Sequence, residues 1–439
     1  MEPRRTSIAS VIDHLPLGAY RTGIVVMCFL IVLMDGFDTQ AIGFVATDMA
    51  SSLDIPITAF GPVFSAGLLG AMLGAFVLGP LGDRFGRRWM LVGSAITFAM
   101  FSLLTPHAAN FSSLSYLRFL AGFGLGGAIP NLLALSSEYT PRRIRGLLIG
   151  LLWAGFPLGG AIGAVTGAYL VPRLGWPALF YVGGSIPLLL AVLAAWALPE
   201  SLHFLIRQPD GQRKVAAIAR RIAPGSQAGQ VFYPDTEGQL GRLPFRHLFS
   251  DGRAASTLLL WIACFMCFVL LIVLVLWTPA LLRQAGIGGS QAVLIVGLNN
   301  LGSVVGTALG GRLVDRFDPY LILPVLFVAG AFSVGAFGYV THSVMLLELL
   351  GALSGFFLGG GTSGLLSVAV LIYPSAIRAT GVGWAMALGR MGQVTGPLVI
   401  GALMIRGLTI SSIFVCCAIP ALCAASAAAL LRLSRSAAE

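Results

Sequence analysis

Long apolar runs alternate with short polar breaks along the whole chain. A helix rising about 1.5 Å per residue needs about 20 apolar positions to cross a bilayer. Twelve segments meet that rule, near residues 22–46, 57–81, 88–108, 112–138, 146–170, 177–198, 256–282, 289–313, 320–341, 344–371, 380–404 and 409–432. None alternates residue by residue as a barrel strand would, so the pattern predicts a helical bundle. A polar stretch over 199–255 divides the segments six and six. Its Pro209-Asp210-Gly211 turn and its Arg213-Lys214 and Arg220-Arg221 pairs predict a linker carrying a short amphipathic helix near 212–222.

The halves repeat. Leu69-Gly70, Gly74, Gly79, Leu81 and Asp83-Arg84-Phe85 recur as Leu301-Gly302, Gly306, Gly311, Leu313 and Asp315-Arg316-Phe317, every pair 232 positions apart. Repeated six-helix halves are a transporter architecture, with the site between the halves near the midplane. The expected organisation is an N-terminal segment over 1–21, bundles over 22–198 and 256–432, the linker between them, and a C-terminal segment over 433–439.

Composition and charge sharpen this picture. Only 10% of the 439 residues are charged, against roughly 25% in soluble domains. The net charge of +10 invites a nucleic-acid reading until the positions are counted. With the N-terminus inside, 22 of the 27 Lys and Arg fall in inner segments, and three (Arg173, Arg283, Arg406) fall in outer loops. That asymmetry predicts both termini in the cytoplasm and no nucleic-acid partner. No short h-region with a cleavage site marks a removable signal peptide. Six cysteines sit in apolar segments, and Cys264-Phe265-Met266-Cys267 lacks the context of a redox motif. The five histidines form no ligand pattern, so no metal or cofactor is expected.

Four charges inside the membrane carry the candidate chemistry. Asp35 and Asp38 stand in the first segment, where one charge costs roughly 3 kcal/mol. Three positions apart, they are expected to share a helix face. Counted inward, Arg118 lies about 10 Å deep, and Asp38 lies about 9 Å from the same face of a core roughly 30 Å thick. Asp38 is therefore the expected partner of Arg118, and Asp35 the expected proton carrier. Starting the first helix three residues earlier would exchange the two roles, and Arg118 snorkelling to the interface is the bland alternative. Arg390, near the midplane of the eleventh segment, asks for an anion. A substrate carboxylate or an acid on another helix would serve.

Other polar residues have two readings each. Gln393, Asn131, Asn299 and Asn300 either bind substrate hydroxyls or link helices. Trp277 and Trp384 can stack on an aromatic ring, although Trp277 beside Pro279 also suits the interfacial belt. In the inner loop Gly82-Asp83-Arg84-Phe85-Gly86-Arg87-Arg88, the arginines fit orientation but Asp83 does not. Asp83 is expected to accept from Arg84 or from a neighbouring helix as a latch, with Asp315 and Arg316 as its second copy. Arg87 and Arg378 are further gating candidates, and Glu138 with Arg145 is the expected inner gate pair. Glu348 has no assigned role.

The run Gly79-Pro80-Leu81-Gly82-Asp83-Arg84-Phe85-Gly86-Arg87-Arg88 resembles the signature loop of the major facilitator superfamily. Three further runs resemble its aromatic acid:H+ symporter family. They are Leu33-Met34-Asp35-Gly36-Phe37-Asp38-Thr39-Gln40, Arg118-Phe119-Leu120-Ala121-Gly122-Phe123-Gly124 leading to Asn131 and Glu138, and Tyr373-Pro374-Ser375-Ala376-Ile377-Arg378 leading to Arg390. The resemblance implies an all-α membrane protein with the major facilitator fold, twelve transmembrane helices in two six-helix bundles, in a bacterial inner membrane. It also implies proton-coupled import of a small aromatic carboxylate of the benzoate or hydroxybenzoate kind. Two other readings stand beside it. Gly155-Phe156-Pro157-Leu158-Gly159-Gly160 partly resembles the glycine-proline motif of drug:proton antiporters, though Phe156 replaces the glycine. A non-transporting membrane sensor is the second.

Overall fold

The computed structural model describes residues 5–7, 12–13, 15, 17–222, 231–233, 245–250 and 252–436. Twelve helices are long and apolar enough to span a membrane. They are α1 (Ala19–Ser52), α2 (Phe60–Phe85), α3 (Arg87–Leu104), α4 (Phe111–Glu138), α5 (Arg142–Leu174) and α6 (Pro177–Ala197), then α7 (Ala254–Gln284), α8 (Gly289–Arg316), α9 (Pro319–Ala336), α10 (Val344–Ile372), α11 (Ser375–Ile405) and α12 (Ile410–Ser436). Their exteriors carry exposed Leu147, Tyr169, Phe332 and Met345, apolar surface that belongs against lipid. Local chemistry sets several ends. Asn110 caps α4 by accepting from the Ser113 amide, while the Ser113 hydroxyl accepts from the Asn110 amide. Gly86 turns sharply between α2 and α3 at φ 101°, a conformation that favours glycine.

Twelve spans put both termini on one face, called the terminal face below, opposite the far face. The repeat read from sequence is a repeat of packing. A Cβ on Gly70 or Gly74 would overlap the carbonyl oxygens of Phe119 and Phe123, so α2 lies directly on α4. In the second bundle Gly302 and Gly306 meet the carbonyls of Ala352 and Phe356 in the same way, laying α8 on α10. Between the bundles α1 faces α7, α2 faces α11 and α5 faces α8.

The linker contains a helix over Gly211–Ile222, which docks Val215 and Ala219 and leaves Arg213, Lys214, Arg220 and Arg221 exposed. One element lies outside the all-helical expectation. Arg5–Ser7 and Val231–Tyr233 form a three-residue parallel pair, with Thr6 opposite Phe232. The side chain of Asp315 lies outside the described residues.

Candidate functional site

The first intramembrane charge pair lies inside the N-terminal bundle. An Arg118 Nη2 donates to Asp38 Oδ2 at 2.7 Å, with the pair 4% and 0% exposed. Ser102 of α3 donates to Asp38 Oδ1 at 2.6 Å, and the guanidinium lies 5.5 Å from the centre of the Phe180 ring. Asp38 therefore has a cation, a hydroxyl and an aromatic wall around it, which is what an ionised carboxylate needs away from water.

Asp35 looks elsewhere. A three-residue step rotates a helix by about 300°, leaving the two carboxylates about 60° apart. The shared face expected from their spacing divides at that angle. Asp38 enters its own bundle, whereas Asp35 is half-buried and within electrostatic reach of Arg390 on the opposite bundle. Thr39, one turn on, donates to Asp35 Oδ1 at 3.1 Å. Arg390 has no hydrogen-bond or ion-pair partner among the described residues. Both charges sit mid-helix: Asp35 is 16 residues from the start of α1 and 17 from its end, and Arg390 is 15 from either end of α11. A neighbouring cavity of 30 Å³, room for about one water, is bordered by Thr39, Arg118 and Leu276. The partner of Asp35 and the partner of Asp38 thus line one small space.

The amides resolve mostly into helix links. Asn131 donates to the carbonyls of Leu78 and Gly127 at 3.1 and 2.8 Å, joining α4 to α2, so its donors do not face the gap between bundles. Asn299 donates to Ser354 Oγ at 2.9 Å and joins α8 to α10. Gln393 is half-buried one turn from Arg390. Trp277 is fully buried, donates to the Pro397 carbonyl at 3.3 Å and meets Phe64 edge-on, leaving no open face for a ring. Trp384 packs instead on Phe245 and Trp261. Six residues separate it from Arg390, a rotation of about 240°, so the two do not share a face.

The loop between α2 and α3 ties the N-terminal bundle to itself. Asp83 pairs with Arg87 at 2.9 Å, not with Arg84, which lies over the Phe85 ring. Arg87 also reaches Glu138 at 2.5 Å. Glu138 accepts in addition from the Ser201 hydroxyl and the Leu202 amide, both at 2.8 Å. The expected Glu138–Arg145 pair is therefore replaced. Arg145 points to the Thr140 carbonyl, because Arg87 and the chain after α6 already fill the acceptors of Glu138. Glu200, missed from sequence, accepts from the amides of Arg88 and Ser201. Its signal was an acid directly after the sixth apolar segment, on the face where most of the basic residues lie. Tyr139 donates to the Glu200 carbonyl at 2.7 Å, and burial pushes its phenol well above the ordinary tyrosine range, so it stays a donor. Arg378 donates to the Tyr373 carbonyl, and Arg316 is exposed.

The bundles touch on the far half and part on the terminal half. Ser65 of α2 donates to the Val394 carbonyl of α11 at 2.7 Å. Eleven residues further along α2, on the same face, Phe76 is 61% exposed. On α8, Gly297 meets Ala164 of α5, yet Leu301 one turn later is 45% exposed. The gap holding Asp35 and Arg390 therefore opens to the terminal face.

Solved structures show the same architecture. A bacterial homologue of the human lysosomal transporter Spinster, inward-facing and unoccupied, aligns with TM-score 0.71 at 15% identity, covering 97% of this chain and 99% of that one. The Escherichia coli xylose transporter XylE, partially occluded and inward open, gives TM-score 0.69 at 20% identity over 92% and 97%. The family model of the Major Facilitator Superfamily matches residues 28–347. The chain belongs to that superfamily, a membrane transporter and not an enzyme. A 4-hydroxybenzoate transporter, PcaK of Pseudomonas aeruginosa, is 37% identical over 98% of this chain and 96% of its own length. A gallate transporter of Pseudomonas putida is 36% identical over 95% and 93%, and the 3-(3-hydroxy-phenyl)propionate transporter of Escherichia coli 37% over 87% and 86%. Within the superfamily, the chain is a member of the aromatic acid transporter family.

Proposed function

We propose that this protein imports a small aromatic carboxylate together with protons across a bacterial inner membrane, with both termini in the cytoplasm. The substrate class follows the named substrates of its relatives. The orientation follows the 22 to three distribution of basic residues. Proton coupling rests on one observation: Asp35 and Arg390 oppose each other mid-membrane across the gap between the bundles.

That opposition supplies a coupling rule. Ionised Asp35 and a substrate carboxylate compete for the same guanidinium. Protonation of Asp35 removes the competitor, and the Arg390 fork then takes the substrate carboxylate. After the bundles rock and the gap faces the cytoplasm, loss of the proton restores the charge on Asp35 and displaces the substrate. Asp38, held by Arg118 and Ser102, stays in that pair and braces α1. One proton neutralises the charge of the transported anion, and any further proton adds the membrane potential as drive.

The test is uptake into proteoliposomes from a panel of labelled aromatic acids under imposed pH gradients of either sign. Accumulation under an outside-acid gradient alone is the expected result. Loss of preloaded substrate under that gradient would instead mean efflux.

A further inference from the structure

We infer that the far face is closed by a two-tier polar gate, Gln40–Asn300 below and Asp48–Arg283 above, that sets the balance between the two open states. Each tier joins α1 of the first bundle to the second. Gln40 and Asn300 exchange side-chain hydrogen bonds of 3.2 and 2.7 Å and are fully buried. Eight residues along α1, about 12 Å nearer the far face, Arg283 at the end of α7 grips Asp48 with two bonds of 2.7 and 2.9 Å. Among the described residues this is the one ion pair that connects the bundles; the other described pairs lie within one half. Gly43 lies between the tiers and packs its backbone on that of Leu276, so nothing bulky holds α1 off α7 there.

The two tiers differ in what opening does to them. Separating the amides uncovers two donors and two acceptors that must find water or other partners. The ion pair is about 30% exposed on each side, so its ends rehydrate as soon as they part. The outer tier therefore releases readily, and the inner tier keeps the gap sealed until the bundles move. Both tiers favour the state open to the terminal face, and both must break before substrate enters from the far face. This places Gln40, Asp48, Arg283 and Asn300 as positioning residues for the transport cycle.

Two cysteine reporters test the gate in membrane vesicles with an impermeant maleimide. V63C lies on α2 at the closed far side, where Val63 is buried, and F76C lies on the open terminal side. Parent protein without a reporter gives the background. Asp48→Asn, Arg283→Gln and Gln40→Leu should each raise V63C labelling from the far side, on the order of tenfold, as loss of one charged or buried hydrogen bond shifts an equilibrium. Each should lower F76C labelling from the terminal side, and the swap D48R/R283D should return both rates toward the parent. Unchanged V63C labelling, both reporters rising together, or a swap that restores neither rate would overturn the gate. No substrate is present, so the outcome is separate from the fate of the proposed function.

Discussion

Removing one charge from the Asp38–Arg118 pair should damage the protein more than removing both. The pair is sealed inside the N-terminal bundle at 0% and 4% exposure, with a 2.7 Å contact. Asp38→Asn leaves a guanidinium buried without an anion, and Arg118→Gln leaves a carboxylate held only by Ser102. Each costs about 3–5 kcal/mol, because an uncompensated buried charge remains. The double variant removes the attraction and the desolvation burden together, and should fall within about 1–2 kcal/mol of the parent. Ser102→Ala alone, losing one hydrogen bond to a charged acceptor, should cost about 1.5–3 kcal/mol. Thermal melts in detergent read this with a thiol-reactive dye, since Cys28, Cys264, Cys267 and Cys417 are buried until the helices separate. Midpoints are ranked at one scan rate. If the double variant melts lower by the sum of the two singles, the residues are not coupled and the bracing role of Asp38 is wrong.

Three further outcomes follow from the same geometry. Arg390→Lys keeps the charge but loses the fork, and should raise the KM for uptake about tenfold with little change in melting, whereas Arg390→Gln should raise it about 100-fold. Gly70→Ala and Gly302→Ala should each destabilise by about 1–3 kcal/mol in the same melts, because each new Cβ meets a helix carbonyl in its own bundle. Glu138→Gln should reduce initial uptake rates by about tenfold, the factor for a lost charged hydrogen bond, while Arg145→Gln leaves them near the parent value. Equal losses would restore the Glu138–Arg145 pair that the structure replaces.

Hydropathy made the membrane helices legible because bilayer thickness sets their length, so the spans over Phe111–Glu138 and Pro177–Ala197 begin and end within a residue of their apolar runs. Depth along two helices was enough to bring Asp38 level with Arg118, and the hydrogen-bonded pair is there. The divergence of Asp35 from Asp38 was not legible. A rotation of 60° sends side chains toward one bundle or the other only once both bundles are packed. Nor does an amide in an apolar helix reveal whether its neighbour is a carbonyl, as for Asn131, or another amide, as for Gln40 with Asn300 260 residues away. Glu138 shows the same limit from the other side. Arg145 was close in the sequence, but a turn at Gly86 brought Arg87 closer in space.

The central claim is that Asp35 couples the proton to the substrate through Arg390. Asp35→Asn in proteoliposomes tests it, with counterflow and gradient-driven accumulation measured on the same preparation using labelled 4-hydroxybenzoate. Asparagine mimics the protonated carboxyl and no longer competes for the guanidinium, so substrate should still exchange across the membrane while accumulation under an outside-acid gradient disappears. Accumulation at the parent level in that variant would contradict the account.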